Sequence, residues 1–161
     1  MGQSLGRVSI LCGRTNFGPN LSSCGLSEYS IEFNEPETLD LYGLRNGFLT
    51  KIQNKYLINR RTISLSKTLF DEDALIFKNV QSRKVSLQPT GVEIDIGNNP
   101  HLEIWAKPGA PFVCIEPWHS FDDASSGDGI FKNKPGIMTL PANETFKTEY
   151  FISVGSNRWL S

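Results

Sequence analysis

The sequence predicts an all-β fold, an antiparallel β-sandwich, and three observations point to it. Short segments rich in β-branched and aromatic residues alternate apolar with polar positions, the period of a strand with one buried face. Fourteen Gly and nine Pro punctuate the chain so closely that long amphipathic helices have little room. Turn chemistry recurs between the segments, the rhythm of antiparallel sheets packed face to face.

Taken in order, the first 24 residues are rich in Gly, Ser and Asn and show only weak periodicity. Tyr29-Ser30-Ile31-Glu32-Phe33 is the first clear alternating strand, and Asn34-Glu35-Pro36 is expected to end it, because proline donates no ladder bond. Thr62-Ile63-Ser64-Leu65 repeats the pattern. Residues 66 to 73 read as a loop or a single helical turn. Further strands are expected at Leu75-Ile76-Phe77, Lys84-Val85-Ser86-Leu87, 92 to 96, Leu102-Glu103-Ile104-Trp105, Phe112-Val113-Cys114-Ile115 and 146 to 154. Gln88-Pro89-Thr90-Gly91, Gly97-Asn98-Asn99-Pro100 and 107 to 111 supply turns between them. A long Gly-, Asp- and Ser-rich connection at 118 to 136 has the length of a binding loop.

At 161 residues, 39% hydrophobic and 20% charged, the chain fits one globular domain over 1–161. Sixteen Lys plus Arg against seventeen Asp plus Glu leave a formal charge of −1 and no basic stripe, so nucleic acid is not an expected partner. No apolar run approaches the roughly 20 residues that span a bilayer, so no membrane partner is expected. The N-terminus lacks the basic, apolar, small-residue order of a signal peptide, and a cytoplasmic location is expected. Cys12, Cys24 and Cys114, three cysteines at wide spacing, suit reduced thiols. With no CxxC pair and only His101 and His119, neither a metal site nor a metal cofactor is expected.

Residues Phe112 to Asp123 carry the most chemistry. Glu116 follows four apolar residues, which sets a carboxylate at the end of a buried strand, where loss of water favours proton uptake and suits general-base work. Pro117 is expected to stop the ladder there. Trp118 offers a flat apolar face of the kind that stacks on a sugar, and His119, Asp122 and Asp123 offer polar groups for hydroxyls. Bland roles compete for each of them: a rim glutamate, a core tryptophan, an exposed loop histidine, and aspartates that cap a turn.

The same stretch, with Lys134-Pro135-Gly136-Ile137-Met138-Thr139-Leu140 and Glu144 to Val154, resembles the C-terminal half of the aldose 1-epimerase (galactose mutarotase)-like family, especially its LacX-like branch. Leu69-Phe70-Asp71-Glu72-Asp73-Ala74-Leu75-Ile76-Phe77, Ser82, and Leu102 to Trp105 with Pro108-Gly109 extend the likeness in the same order, over residues 28 to 154. The resemblance implies part of a large β-sandwich of the galactose mutarotase-like type. It also implies an isomerase of hexose metabolism that binds a hexose or hexose phosphate and interconverts its α and β anomers without a cofactor. Carried over by position, Glu116 is the general base that takes the anomeric proton, and Asp73 holds sugar hydroxyls, with a turn or cap residue as its bland alternative.

Family members are longer, and an N-terminal portion has no counterpart here; residues 1–24 match poorly. The family's Gly-x-His-Pro-x-Phe block finds its nearest match in Cys12-Gly13-Arg14-Thr15-Asn16-Phe17, which puts Arg14 at the histidine position. A guanidinium stays protonated, so Arg14 would bind a hydroxyl or phosphate and not deliver a proton. His119 is then the acid candidate near Glu116. The alternative function is a non-catalytic carbohydrate-binding β-sandwich module. A half-sandwich also implies an open sheet edge, through which a homodimer is expected to form.

Overall fold

The computed structural model describes residues 8–11, 26–110 and 112–155. Among them the regular structure is strand, apart from 3₁₀ turns at Leu26–Glu28 and Phe131–Asn133. The strands are β1 (Val8–Leu11), β2 (Ser30–Arg45), β3 (Phe48–Ser64), β4 (Leu75–Phe77), β5 (Lys84–Gln88), β6 (Val92–Asp95), β7 (His101–Trp105), β8 (Phe112–Trp118) and β9 (Phe151–Val154). All pair antiparallel within one sheet. None of the helical turns is long and apolar enough to cross a membrane.

The spine is the long hairpin β2–β3, which corrects the expectation that Asn34-Glu35-Pro36 ends a strand. Asn46 and Gly47 take φ of 54° and 76° between paired Arg45 and Phe48, the two-residue geometry that an Asn-Gly pair favours in a hairpin. Pro36 is carried at a register shift between Glu32 and Glu37, where the ladder is already interrupted and a missing N–H is tolerated. Fully buried Glu37, next to it, is bonded from outside the hairpin: its carboxylate accepts the backbone N–H of Ser82 at 2.6 Å and that of Gln81 at 3.4 Å.

Two limbs attach to the edge of β2 that β3 leaves open. β5, β6 and β9 follow the first part of β2, with Ile31 opposite Leu87, while β4, β7, β8 and β1 follow the second part, with Tyr42 opposite Ile76. Repeated register shifts between them bend the hairpin. The limbs therefore close on one core: Val85, Leu87, Ile94 and Ile96 from one limb pack in the same cluster as Leu102, Ile104, Val113 and Ile115 from the other. The predicted sandwich is one continuous sheet folded over on itself.

Two further expectations change in detail. Pro117 does not stop the ladder; it lies opposite Leu102 and β8 continues to Trp118. Among the described residues β1 pairs with β8 only as far as Ile115, so Pro117 lies past that pairing, where a missing N–H costs no described ladder bond. The last strand is confined to Phe151–Val154, because 146–150 runs as a strap whose Thr148 hydroxyl donates to Asn98 Oδ1 at 2.8 Å. All four β9 residues are exposed at the end of the sheet.

Candidate functional site

Alternation along β7 and β8 sends Leu102, Ile104, Val113 and Ile115 into the sandwich core. Their neighbours His101, Glu103 and Trp105 on β7, and Cys114, Glu116 and Trp118 on β8, fall on the opposite face. In an ordinary two-layer sandwich such a face meets water. Here His101, Glu103 and Glu116 are 7%, 8% and 4% exposed. The cover is a second small cluster of Leu49, Ala74, Ile76 and Phe121, against which Tyr42, Leu44, Trp105 and Trp118 pack.

The loop after β8 supplies that cover because it is tied to the hairpin tip. Leu49 N–H donates to Asp123 O at 2.7 Å, and Ser125 N–H donates to Leu49 O at 3.2 Å. Phe121 is thereby held with its ring 5.0 Å from that of His101, edge on. Lys78 Nζ lies 3.6 Å from the centroid of Phe121 and 4.2 Å from that of Tyr42, a cation over two aromatic faces. Burial lowers the pKa of that ammonium.

Glu103 and Glu116 are direct cross-strand neighbours, as are His101 and Trp118. Such pairs hold their Cβ atoms about 5 Å apart, with diagonal neighbours such as Glu116 and His101 at about 7 Å. His101 Nδ1 accepts the backbone N–H of Asn79 at 3.3 Å, which assigns its own proton to Nε2. Burial first, then the charges of Lys78 and His119, push the His101 pKa down to about 4. It is therefore a neutral N–H donor at pH 7.

Of the residues singled out in the sequence, Glu116 and Trp118 share this face. Asp73 and Asp123 are not on that face; they flank its cover in sequence, Asp73 preceding Ala74 and Asp123 standing two residues after Phe121. Asp73 is exposed, with φ of 91° and its own Oδ1 accepting the Ala74 N–H at 2.8 Å, so it also closes a turn. Asp123 Oδ1 lies 3.0 Å from Lys134 Nζ, a side chain only 5% exposed. Asp122 has a raised pKa, mainly from burial, with Lys134 opposing and the charges of Asp123 and Asp73 adding.

His119 turns elsewhere: its Nε2 is 3.0 Å from Thr148 Oγ1, and its ring meets Phe146 edge on at 5.0 Å. Since Thr148 donates to Asn98, His119 Nε2 is the donor in that contact. Burial lowers its pKa as well. Arg14 lies outside the described residues. His101, Glu103 and Lys78 were not singled out in the sequence, although His101-Leu102-Glu103-Ile104-Trp105 alternates strictly. Extending that strand by one residue would have put His101 and Glu103 on the face of Glu116.

Two surface clefts lie away from this face. One, of about 430 Å³, is lined by Asn99, Pro117, Thr148 and Tyr150; the other, of about 530 Å³, runs along β3 at Tyr56, Ile58 and Arg60. Neither is lined by Glu116. Among the described residues no three His, Cys, Asp or Glu side chains are grouped to hold a metal.

No family model matches the chain. Among curated proteins it is similar to the plasmid and chromosomal LacX proteins of Lactococcus lactis subsp. lactis, each 27% identical over 135 residues, 79% of this chain and 45% of theirs. Among solved structures it is similar to a galactose mutarotase-related enzyme from Lactobacillus acidophilus, with a TM-score of 0.76 and 25% identity over 93% of this chain. A galactose mutarotase-like protein from Lactobacillus casei shares the fold at a TM-score of 0.66 and 19% identity over 91% of this chain. The chain spans about half the length of these relatives, 45% to 50%. Its antiparallel β-fold is thus of the galactose mutarotase-like type, and the chain resembles a C-terminal half of such a protein, with LacX proteins among its sequence relatives.

Proposed function

We propose that the polar face of β7 and β8 is a hexose site of the aldose 1-epimerase kind, with Glu116 as the base that starts ring opening. The supporting observation is a carboxylate 4% exposed on a strand face that also carries His101 and Trp118, in a fold of the mutarotase-like type. In this mechanism Glu116 takes the proton of the anomeric hydroxyl, O1. The C1–O5 bond breaks, its electron pair goes to O5, and C1 becomes an aldehyde.

A neutral histidine stabilises negative charge by donating a hydrogen bond without giving its proton away. His101, held neutral at pH 7 by burial, takes that role toward O5. The proton that O5 needs comes back from Glu116 itself, since O1 and O5 are both bonded to C1. Rotation about C1–C2 and reversal of the same steps from the other face give the other anomer. Asp73 and Asp123, which flank the cover of this face in sequence, bind the remaining hydroxyls, and no cofactor enters.

Exchange NMR on α-D-glucose and α-D-galactose tests this. The expected result is interconversion faster than buffer and lost in Glu116→Gln; a rate equal to buffer, or unchanged in that variant, refutes it. A second reading is a sugar-binding module without catalysis, favoured by the engagement of His119 with Thr148. It predicts sugar-dependent tryptophan fluorescence with no mutarotation.

A further inference from the structure

We infer that two copies of this chain associate through the free edge of β9, pairing strand to strand about a two-fold axis at Ser153. The inference stands apart from the hexose reading. β9 ends the sheet beyond β6, and among the described residues its outer edge has no partner. Natural edges are commonly blunted by a charge, a proline or a bulge. Phe151-Ile152-Ser153-Val154 contains no charge and no proline, and its register with β6 is unbroken.

At this edge the core runs past its cover. Ile152 lies opposite Ile94, which is fully buried in the shared core, so both stand on the inner face. Yet Ile152 is 48% exposed, and Val154, two residues on along the same face, is 74% exposed. Eight of the ten large apolar side chains exposed among the described residues fall between Ile130 and Val154. The apolar surface left for a partner is therefore concentrated in β9 and the segment that leads into it.

The backbone names the occupant. Gly155 N–H donates to Gly91 O at 2.8 Å and continues the β6 ladder, so by alternation Phe151, Ser153 and Gly155 direct their N–H and C=O groups toward β6. Ile152 and Val154 direct theirs outward. A second copy run antiparallel, with Ser153 facing its own counterpart, sets Ile152 of each copy against Val154 of the other. Each such pair exchanges both its N–H···O bonds, which uses every outward group of the two strands. The same register lays apolar on apolar across the inner face and Phe151 over the exposed Gly155 of the other copy on the outer one. A slip by one residue would set Ile152 against Ser153 and bring unlike faces together. A strand that complements itself in this way meets the requirement of an isologous two-fold contact. Phe146, Phe151, Ile152 and Val154, 40% to 74% exposed, offer on the order of 100 Å² each, so the contact buries roughly 800 Å² in all and is weak and reversible.

Sedimentation velocity from about 1 μM to about 1 mM tests this. Wild type is expected to pass from monomer to dimer across that range. Val154→Pro removes an outward N–H and leaves the β6 ladder whole, and it is expected to weaken the dimer by about tenfold or more. Ser153→Cys under mild oxidation is expected to give a disulfide-linked dimer, because the two Cα atoms face each other as a non-hydrogen-bonded pair at about 4.5 Å. Ile152→Cys, one residue off the axis, is expected to cross-link no more than wild type, whose Cys12, Cys24 and Cys114 set the background.

A wild type that stays monomeric throughout overturns the inference. So does a dimer unchanged in Val154→Pro, which places the contact elsewhere, and so do species that grow beyond a dimer, since a closed two-fold pair cannot extend. Equal cross-linking in Ser153→Cys and Ile152→Cys overturns it as well. Should Val154→Pro fail to fold, the two cysteine variants decide alone.

Discussion

The limbs that hang from β2 are both made of short antiparallel strands, and they share one core, yet their outer faces differ. On β5 and β6 the inner positions Val85, Leu87 and Ile94 are buried, while Lys84, Ser86, Glu93 and Asp95 face outward and are at least partly exposed. Lys84 and Glu93 pair at 2.8 Å across that open surface. On β7 and β8 both faces are covered, and the outer one holds His101, Glu103 and Glu116. Burying a polar group is costly unless it is well bonded, so a limb needing only stability has the first pattern. The β7–β8 limb departs from it, and a place where buried polar groups break the pattern of the rest of the fold is where the proposed site is put.

The largest effect expected from this contrast is on rate. Glu116→Gln should slow anomer exchange by about 10²- to 10⁴-fold, the range for loss of a general base, while Glu93→Gln on the other limb leaves it unchanged. Equal loss in both variants, seen by exchange NMR, would show that the difference between the outer faces is not functional. The inner faces, by contrast, should behave alike. Ile104→Ala and Ile94→Ala each remove a fully buried side chain from the shared core, and each should cost about 2–5 kcal/mol in urea unfolding. A large cost in one limb alone would mean that the two do not close on a single core.

The same contrast explains what was legible in the sequence. Strands 84–87 and 92–95 could be read because one face is apolar and the other polar, so the period of two is visible. The β2–β3 hairpin was hidden by Pro36 and by the polar run Asn54, Lys55, Asn59, Arg60 and Arg61, although Asn46-Gly47 is itself a strong hairpin signal. A bulge that carries a proline and a buried Glu37 depends on Ser82, 45 residues away, and no local pattern reveals it. Glu116 was legible because it ends an apolar run. His101 was missed because a histidine beside a turn resembles a loop residue until the strand opposite it is known. Phe121 reaches this face through the tie between Leu49 and Asp123, and Lys78 through its place after β4 and over the Tyr42 ring, which are tertiary facts.

A smaller effect should appear in the pH dependence of stability. His101 has its pKa pushed down to about 4, mainly by burial, against an ordinary value of 6.5. Between these values the unfolded chain binds the proton and the folded one does not, so acid favours unfolding. The contribution is fully present above pH 6.5 and is lost as pH falls toward 4, on the order of 3 kcal/mol in all. His119, also lowered by burial, acts in the same direction; Asp122, raised by burial, acts in the opposite one. The slope of urea stability in wild type minus that in His101→Gln isolates the His101 share, and identical slopes would show that this face is more hydrated than its burial indicates.

The smallest effect belongs to the other limb. Lys84 and Glu93 are close enough for an ion pair, and the hydrogen bond to Glu93, then its charge, raises the Lys84 pKa, yet half of the Lys84 side chain and 41% of that of Glu93 are in contact with water. Solvent and salt screen such a pair, and ordering two long side chains offsets much of its attraction. Lys84→Ala should therefore leave both the urea midpoint and its pH profile indistinguishable from wild type. If it shifted the midpoint as much as His101→Gln does, a short ion-pair distance would matter as much as burial, and the difference between the limbs would lose its physical basis.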